Sequence, residues 1–139
     1  MTRQSAYFEV IGTEPAPQGS KRYLGNGRFV EASKKLEPWR RAVAQAVEAM
    51  FEATGDRTTF SEACQVEVVF ILPKPKTVKR LWPTVPPDAD KLARSLGDSI
   101  SLPKYAVLVD DDSLICHWEI TKMYGTAESM GAKVQIKLL

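Results

Sequence analysis

PPDADKLARSLGDSI, residues 86–100, opens on a proline pair, sets two aspartates two residues apart and then turns apolar-periodic. Leu92, Leu96 and Ile100 recur at helical spacing, so the segment reads as a helix that starts near Asp88. Asp90, Arg94 and Asp98, spaced i, i+4, i+8, share a different stripe of it, which puts Arg94 beside Asp90. Two readings of the aspartates follow. Asp88 can be an N-cap and Asp90 a first-turn acid that complements the positive end of the helix dipole. Alternatively both are metal ligands, and the helix is the platform that aims them.

Upstream, CQVEVVFIL (64–72) alternates Cys64, Val66, Val68, Phe70 and Leu72 against a more polar set, the pattern of a strand with one buried face. KPKTVKRLWPTVPP leaves it, and Pro75, Pro83, Pro86 and Pro87 exclude regular structure there, so this basic loop is expected over the surface. Its Trp82 is expected to cap the core, since tryptophan buries a large apolar area. Farther back, Trp39, Val43, Ala46, Val47 and Met50 define a helix running from Pro38 to a stop at Gly55, with Trp39 in the core. AYFEVI (6–11) reads as a strand, GTEPAPQGSK as a Gly/Pro loop, and Asn26-Gly27 as the two-residue turn of a hairpin carrying Lys21, Arg22 and Arg28.

Downstream of the aspartate helix, the apolar run YAVLV is expected as a strand that ends in Asp110-Asp111-Asp112-Ser113. LICHWEITKMY and AKVQIKLL supply two more strand patterns. Asp and Ser between strands are ordinary turn residues. If the YAVLV strand runs beside the start of the helix, however, three or more carboxylates share one pocket. Such a cluster repels itself unless a hard cation neutralises it.

The 139 residues are 44% apolar and 26% charged, enough for one globular domain over 1–139 with its own core. Cys64, Cys116 and the single His117 supply too few well-spaced ligands for zinc and no disulfide framework, so both thiols are expected packed and reduced. No stretch reaches membrane-spanning length and the amino terminus lacks a signal-peptide pattern, which predicts a cytoplasmic protein. The net charge of +2 conceals a segregation. Lys21, Arg22, Arg28, Lys34, Lys35, Arg40 and Arg41 dominate one segment, and Lys74, Lys76, Lys79 and Arg80 crowd another. Between them and the carboxyl terminus lies an acidic centre made of Asp88, Asp90, Asp98 and Asp110–Asp112. Basic segments around an acidic centre suit a metal site that handles a polyanion.

PDADKLARSLGD (87–98) resembles the P-D-x-D-N-x-x-K-x-x-x-D stretch of the RusA-like Holliday junction resolvases, small endodeoxyribonucleases commonly carried by phages and prophages. VDDDSLI (109–115) is similar to the family's D-D-x-x-hydrophobic stretch, and Lys122 ends the following strand. A G-x-x-P loop, a basic hairpin and a helix precede them in the family's order. The resemblance implies an α+β fold, a mixed sheet with two main helices. It implies Asp88, Asp90 and Asp112 as catalytic metal-binding acids, with Asp111 in support. Mg²⁺ is the implied cofactor, with Mn²⁺ as its alternative, and the implied partners are branched DNA and a second copy of the chain in a bacterial host cell. Lys91 replaces the family's asparagine and Arg94 its catalytic lysine. Arg94 keeps the charge and can grip phosphate with two donors, but it cannot exchange a proton. Lys21, Arg22, Arg28, Lys74, Lys76, Lys79, Arg80, Lys91 and Lys122 are the expected DNA contacts.

Two other functions compete. Phosphatases that form an aspartyl-phosphate also carry a D-x-D pair, but theirs follows a buried strand, and WPTVPP is no such strand. A non-catalytic nucleic-acid-binding or phage structural module would keep the basic surface and make the aspartates dispensable.

Overall fold

The computed structural model describes residues 1–19, 21–25, 28–31 and 34–139, with side chains over 1–19 and 34–139. Its elements are β1 (Ser5–Ile11), β2 (Lys21–Gly25), β3 (Arg28–Glu31), α1 (Leu36–Thr54), β4 (Cys64–Pro73), α2 (Ala89–Ser101), β5 (Ile115–Gly125) and β6 (Gly131–Leu138). β2 and β3 pair as the expected antiparallel hairpin. The Asn26-Gly27 turn and the side chains of Lys21, Arg22 and Arg28 lie outside the described residues.

The main sheet has the order β1-β6-β4-β5. β4 pairs antiparallel with β6 and parallel with β5, so the sheet is mixed and the fold α+β. One face carries the core. Val66, Phe70, Val134 and Ile136 are fully covered there by Trp39, Val43 and Val47 of α1 and by Leu92, Leu96 and Ile100 of α2. The opposite face, with Glu67, Glu119, Thr121, Lys133 and Gln135, is polar, as the strand alternation requires. α1 begins two residues before Pro38, which therefore stands in the first turn, where its missing N–H costs nothing, and Gly55 ends the helix as expected.

A parallel pair needs a crossover, and α2 lies within the one joining β4 to β5. This connection sets the geometry of everything acidic. The helix starts over the carboxyl-terminal ends of β4 and β5 and runs back, so the segment after it is delivered to the amino-terminal end of β5.

Three expectations fail. YAVLV is not a strand. Pro103 ends the helical segment, the N–H groups of Leu108 and Val109 both donate to the Ile100 carbonyl, and only Val109 forms a bridge, to Phe60, so the run wraps the end of α2 instead of entering the sheet. Trp82 does not cap the core and is 53% exposed on its loop. Cys116 is exposed, whereas Cys64 is buried and its thiol is pushed up to about 11 by burial. Among the described residues no helix is long and apolar enough to cross a membrane.

Candidate active site

Asp88 occupies the N-cap position of α2 in an extended conformation, and its carbonyl accepts the first helical bond, from the Leu92 N–H. Its carboxylate makes no capping hydrogen bond. The side chain is half exposed, with the Lys91 ammonium 4.0 Å away. Asp90, in the first turn, is exposed as well. The capping reading therefore lacks the bond that defines it, and two carboxylates stand at the mouth of the helix without a structural task.

The loop leading to Asp88 is held from below. Lys122 of β5 donates from Nζ to the carbonyl oxygens of Val85 at 3.0 Å and Pro87 at 2.9 Å. Lys122 was expected on the DNA surface; two of its three ammonium protons instead tie down the residues just ahead of Asp88. Ala16–Gly19 crosses the opposite flank of the helix. The Ser95 hydroxyl donates to the Ala16 carbonyl at 2.6 Å, the Gln18 N–H donates to the Lys91 carbonyl, and the Arg94 guanidinium lies so close to Gly19 that a Cβ there would stand 2.6 Å from its Nη1. Arg94 is exposed and makes no ion pair with Asp90 among the described residues.

Asp112 stands toward the other end of the helix. It opens a short 3-10 turn, Asp112–Leu114, and lies with the Trp118 ring beside Gly97, where a Cβ would stand 3.8 and 3.7 Å from them, at ordinary contact distance. Partial burial and the carboxylates of Asp98 and Asp111 push the Asp112 carboxyl above its ordinary range. Asp111 caps the turn by accepting from the Ser113 N–H at 2.9 Å, which holds its own carboxyl below the usual range. Asp98 is balanced: Gln18 Nε2 donates to it at 2.6 Å and Arg40 Nη2 lies at 3.3 Å.

The acids thus form two stations on α2, Asp88 with Asp90 at its start and Asp98 with Asp112 two turns on. Asp90 and Gly97 differ by seven residues, about 10 Å of rise at 1.5 Å per residue. Among the described residues no three carboxylate, cysteine or histidine side chains converge as a preformed metal shell. The single pocket expected from the sequence is not assembled, because the crossover delivers Asp112 to the far end of the helix. The donor chemistry nevertheless suits a hard divalent cation: Asp88 and Asp90 offer exposed carboxylate oxygens whose one ion pair among the described residues is the 4.0 Å contact of Asp88 with Lys91. Mg²⁺ also generally takes one or two carboxylates, several waters and substrate phosphate in preference to an all-protein cage.

The basic loop is exposed as expected at Lys74, Lys76, Lys79 and Arg80. Tyr124 of β5 organises part of it: Lys74 and Arg80 stand 5.7 and 5.8 Å from its ring centre, and Arg80 Nε donates to its hydroxyl at 2.9 Å. If these four cations contact phosphates, their joint replacement by Ala will weaken DNA binding and flatten the slope of log affinity against log salt by about 3 to 4, close to one per lost contact. Titration by anisotropy at several salt concentrations measures that slope, and an unchanged slope removes the loop from the interface.

Sequence reasoning missed the Gln18–Arg40–Asp98 group. Asp98 was already on the Asp90–Arg94 stripe, and that was the available signal; its partners come from the loop before the hairpin and from α1, whose approach only the fold specifies.

The family model described as Endodeoxyribonuclease RusA matches residues 13–137, nearly the whole chain. A comparison with curated proteins finds no match. The chain belongs to the RusA endodeoxyribonuclease family.

Proposed function

We propose that the protein is a divalent-metal-dependent endodeoxyribonuclease that resolves four-way DNA junctions by paired phosphodiester hydrolysis in the cytoplasm of a bacterial host. The observation that carries this reading is the pair Asp88 and Asp90, placed at a helix mouth whose leading loop Lys122 ties down, yet free of capping hydrogen bonds and of close ion pairing. Asp88 and Asp90 are the proposed ligands of Mg²⁺ or Mn²⁺ at the helix mouth, and Asp112, with Asp111 in support, would hold a second ion at its own station beside Gly97. When bound, the ion supplies a water of lowered pKa and neutralises charge on the leaving oxygen. Water adds across the P–O3′ bond, giving a 5′-phosphate and a 3′-hydroxyl.

The chain's own residues orient that reaction. Arg94, midway between the two acidic stations, offers a two-donor fork to a non-bridging phosphate oxygen and takes no part in proton transfer. Lys91 and the basic loop hold the flanking backbone, with the hairpin cations Lys21, Arg22 and Arg28 as contacts to a neighbouring arm. Symmetric nicks on two strands call for two copies about a twofold axis. The deciding experiment is incubation with a labelled four-way junction, with and without Mg²⁺, beside linear duplex. Paired nicks only with metal and junction support the reading, and binding without cutting favours the non-catalytic module.

Arg94 gives a second test. Arg94→Ala should lower cleavage by about 10²-fold or more with little change in melting, and Arg94→Lys should recover much of the rate, because charge at the phosphate is what the site requires. Normal cutting by the Ala variant removes Arg94 from the chemistry.

A further inference from the structure

A cleft of about 690 Å³ opens beside Asp88, bounded by the loop before the hairpin, the end of β4, the loop ahead of α2 and Tyr124. The proposed hydrolysis draws on Asp88, Lys91 and Arg80 of its rim but gives the cleft itself no occupant. Its floor is Leu72, 6% exposed but outside the main core, and its walls are rings of Pro17, Pro73, Pro83 and Pro87. Its rim carries Lys34, Lys35, Arg80 and Lys91 against Glu14 and Asp88, an excess of two positive charges. Lys35 pairs with Glu14.

We propose that this cleft seats one unpaired nucleotide of the DNA substrate, next to the phosphate to be cut. The inference rests on the endonuclease reading above and adds a specificity site to it. The volume lies in the range of small-ligand pockets and admits a single nucleotide but no duplex. Rigid proline rings and the Arg80 guanidinium, which stands over Tyr124, offer flat apolar and cationic surfaces to a base, while the surplus rim charge suits its phosphate. Adjacency to Asp88 fixes which nucleotide it is: one that flanks the scissile bond. Extruding a base from intact duplex is costly and from a branch point is cheap, so the cleft makes branched DNA the preferred substrate by shape and not by base sequence alone.

The test uses the full-length protein and a four-way junction carrying 2-aminopurine at single positions around the cut. In EDTA, where no cutting occurs, binding is followed by anisotropy and unstacking by 2-aminopurine fluorescence. One flanking position should brighten severalfold on binding. Val85 lines the cleft and is 41% exposed, so Val85→Trp fills the space without disturbing the core, and Pro75→Trp fills it from another wall. Both variants should bind the junction within about threefold of the parent, lose the brightening, and cut at least about tenfold more slowly in Mg²⁺. If the parent binds and cuts but no position brightens, or if brightening survives in both filled variants, the cleft is not a nucleotide seat and the endonuclease reading stands. If the parent binds the junction but never cuts it in Mg²⁺, brightening lost in both filled variants still supports the seat while the endonuclease reading falls. A parent that does not bind the junction overturns both.

Discussion

Asp90→Asn will abolish junction cleavage in Mg²⁺, by a factor on the order of 10³ or more, while leaving the fold intact. The substitution keeps size and hydrogen-bonding capacity and removes only the charge. Asp90 is exposed in the first turn of α2, so the stability lost is its interaction with the helix dipole, about 0.5 kcal/mol. At Asp88 the contrast is sharper still. Its side chain makes no capping bond, and Asn caps as well as Asp, so an N-cap role predicts almost no effect of Asp88→Asn on anything. A metal-binding role predicts collapse of cutting at Asp88, Asp90 and Asp112 alike. Binding should move the other way: in EDTA each variant should hold the junction as tightly as the parent or more tightly, since a carboxylate that repels the phosphate backbone is gone. The measurements are gel-resolved nicking, anisotropy and a melting curve for each variant. A folded Asp90→Asn protein that nicks at the parent rate ends the hypothesis.

The sequence made α2 legible because Leu92, Leu96 and Ile100 repeat at the helical period and a proline pair precedes them; the same logic placed Trp39 in the core and β4 in the sheet. It could not reveal the distance between Asp88 and Asp112. That distance depends on β5 pairing parallel to β4, a long-range choice that no local pattern encodes, and on YAVLV folding around the Ile100 carbonyl although its composition suits a strand equally well. Trp82 was misplaced for a related reason: its size argues for burial, but its loop sets it at the surface by Met123 and Tyr124 near the end of β5, away from the buried face of the sheet. Lys122 was legible as a cation at the end of a strand. Which carbonyls it would meet was not, because Val85 and Pro87 reach it only through the crossover.

That last contact separates two roles for Lys122, and Lys122→Met tests them with a side chain of similar length and no charge. If Lys122 is chiefly a phosphate contact, the variant should bind DNA more weakly, lose about 0.9 from the salt slope and cut normally at saturating enzyme. If it chiefly positions Asp88, the outcome inverts. Loss of two charge-assisted bonds frees the Val85–Pro87 segment, at a cost of about 1 to 3 kcal/mol moderated by solvent reaching the exposed carbonyl of Val85. Binding and salt slope then stay near the parent values, and the single-turnover cutting rate falls by about 10²-fold, the usual consequence of displacing a reacting group by an ångström. Lys122→Arg should restore part of that rate, since a guanidinium can still donate to both carbonyls. The geometry favours the second outcome, because the ammonium lies within hydrogen-bonding distance of two carbonyls at once and retains only one proton for DNA. A weakened, less salt-sensitive complex that cuts at full rate would return Lys122 to the DNA surface and leave Asp88 without its support.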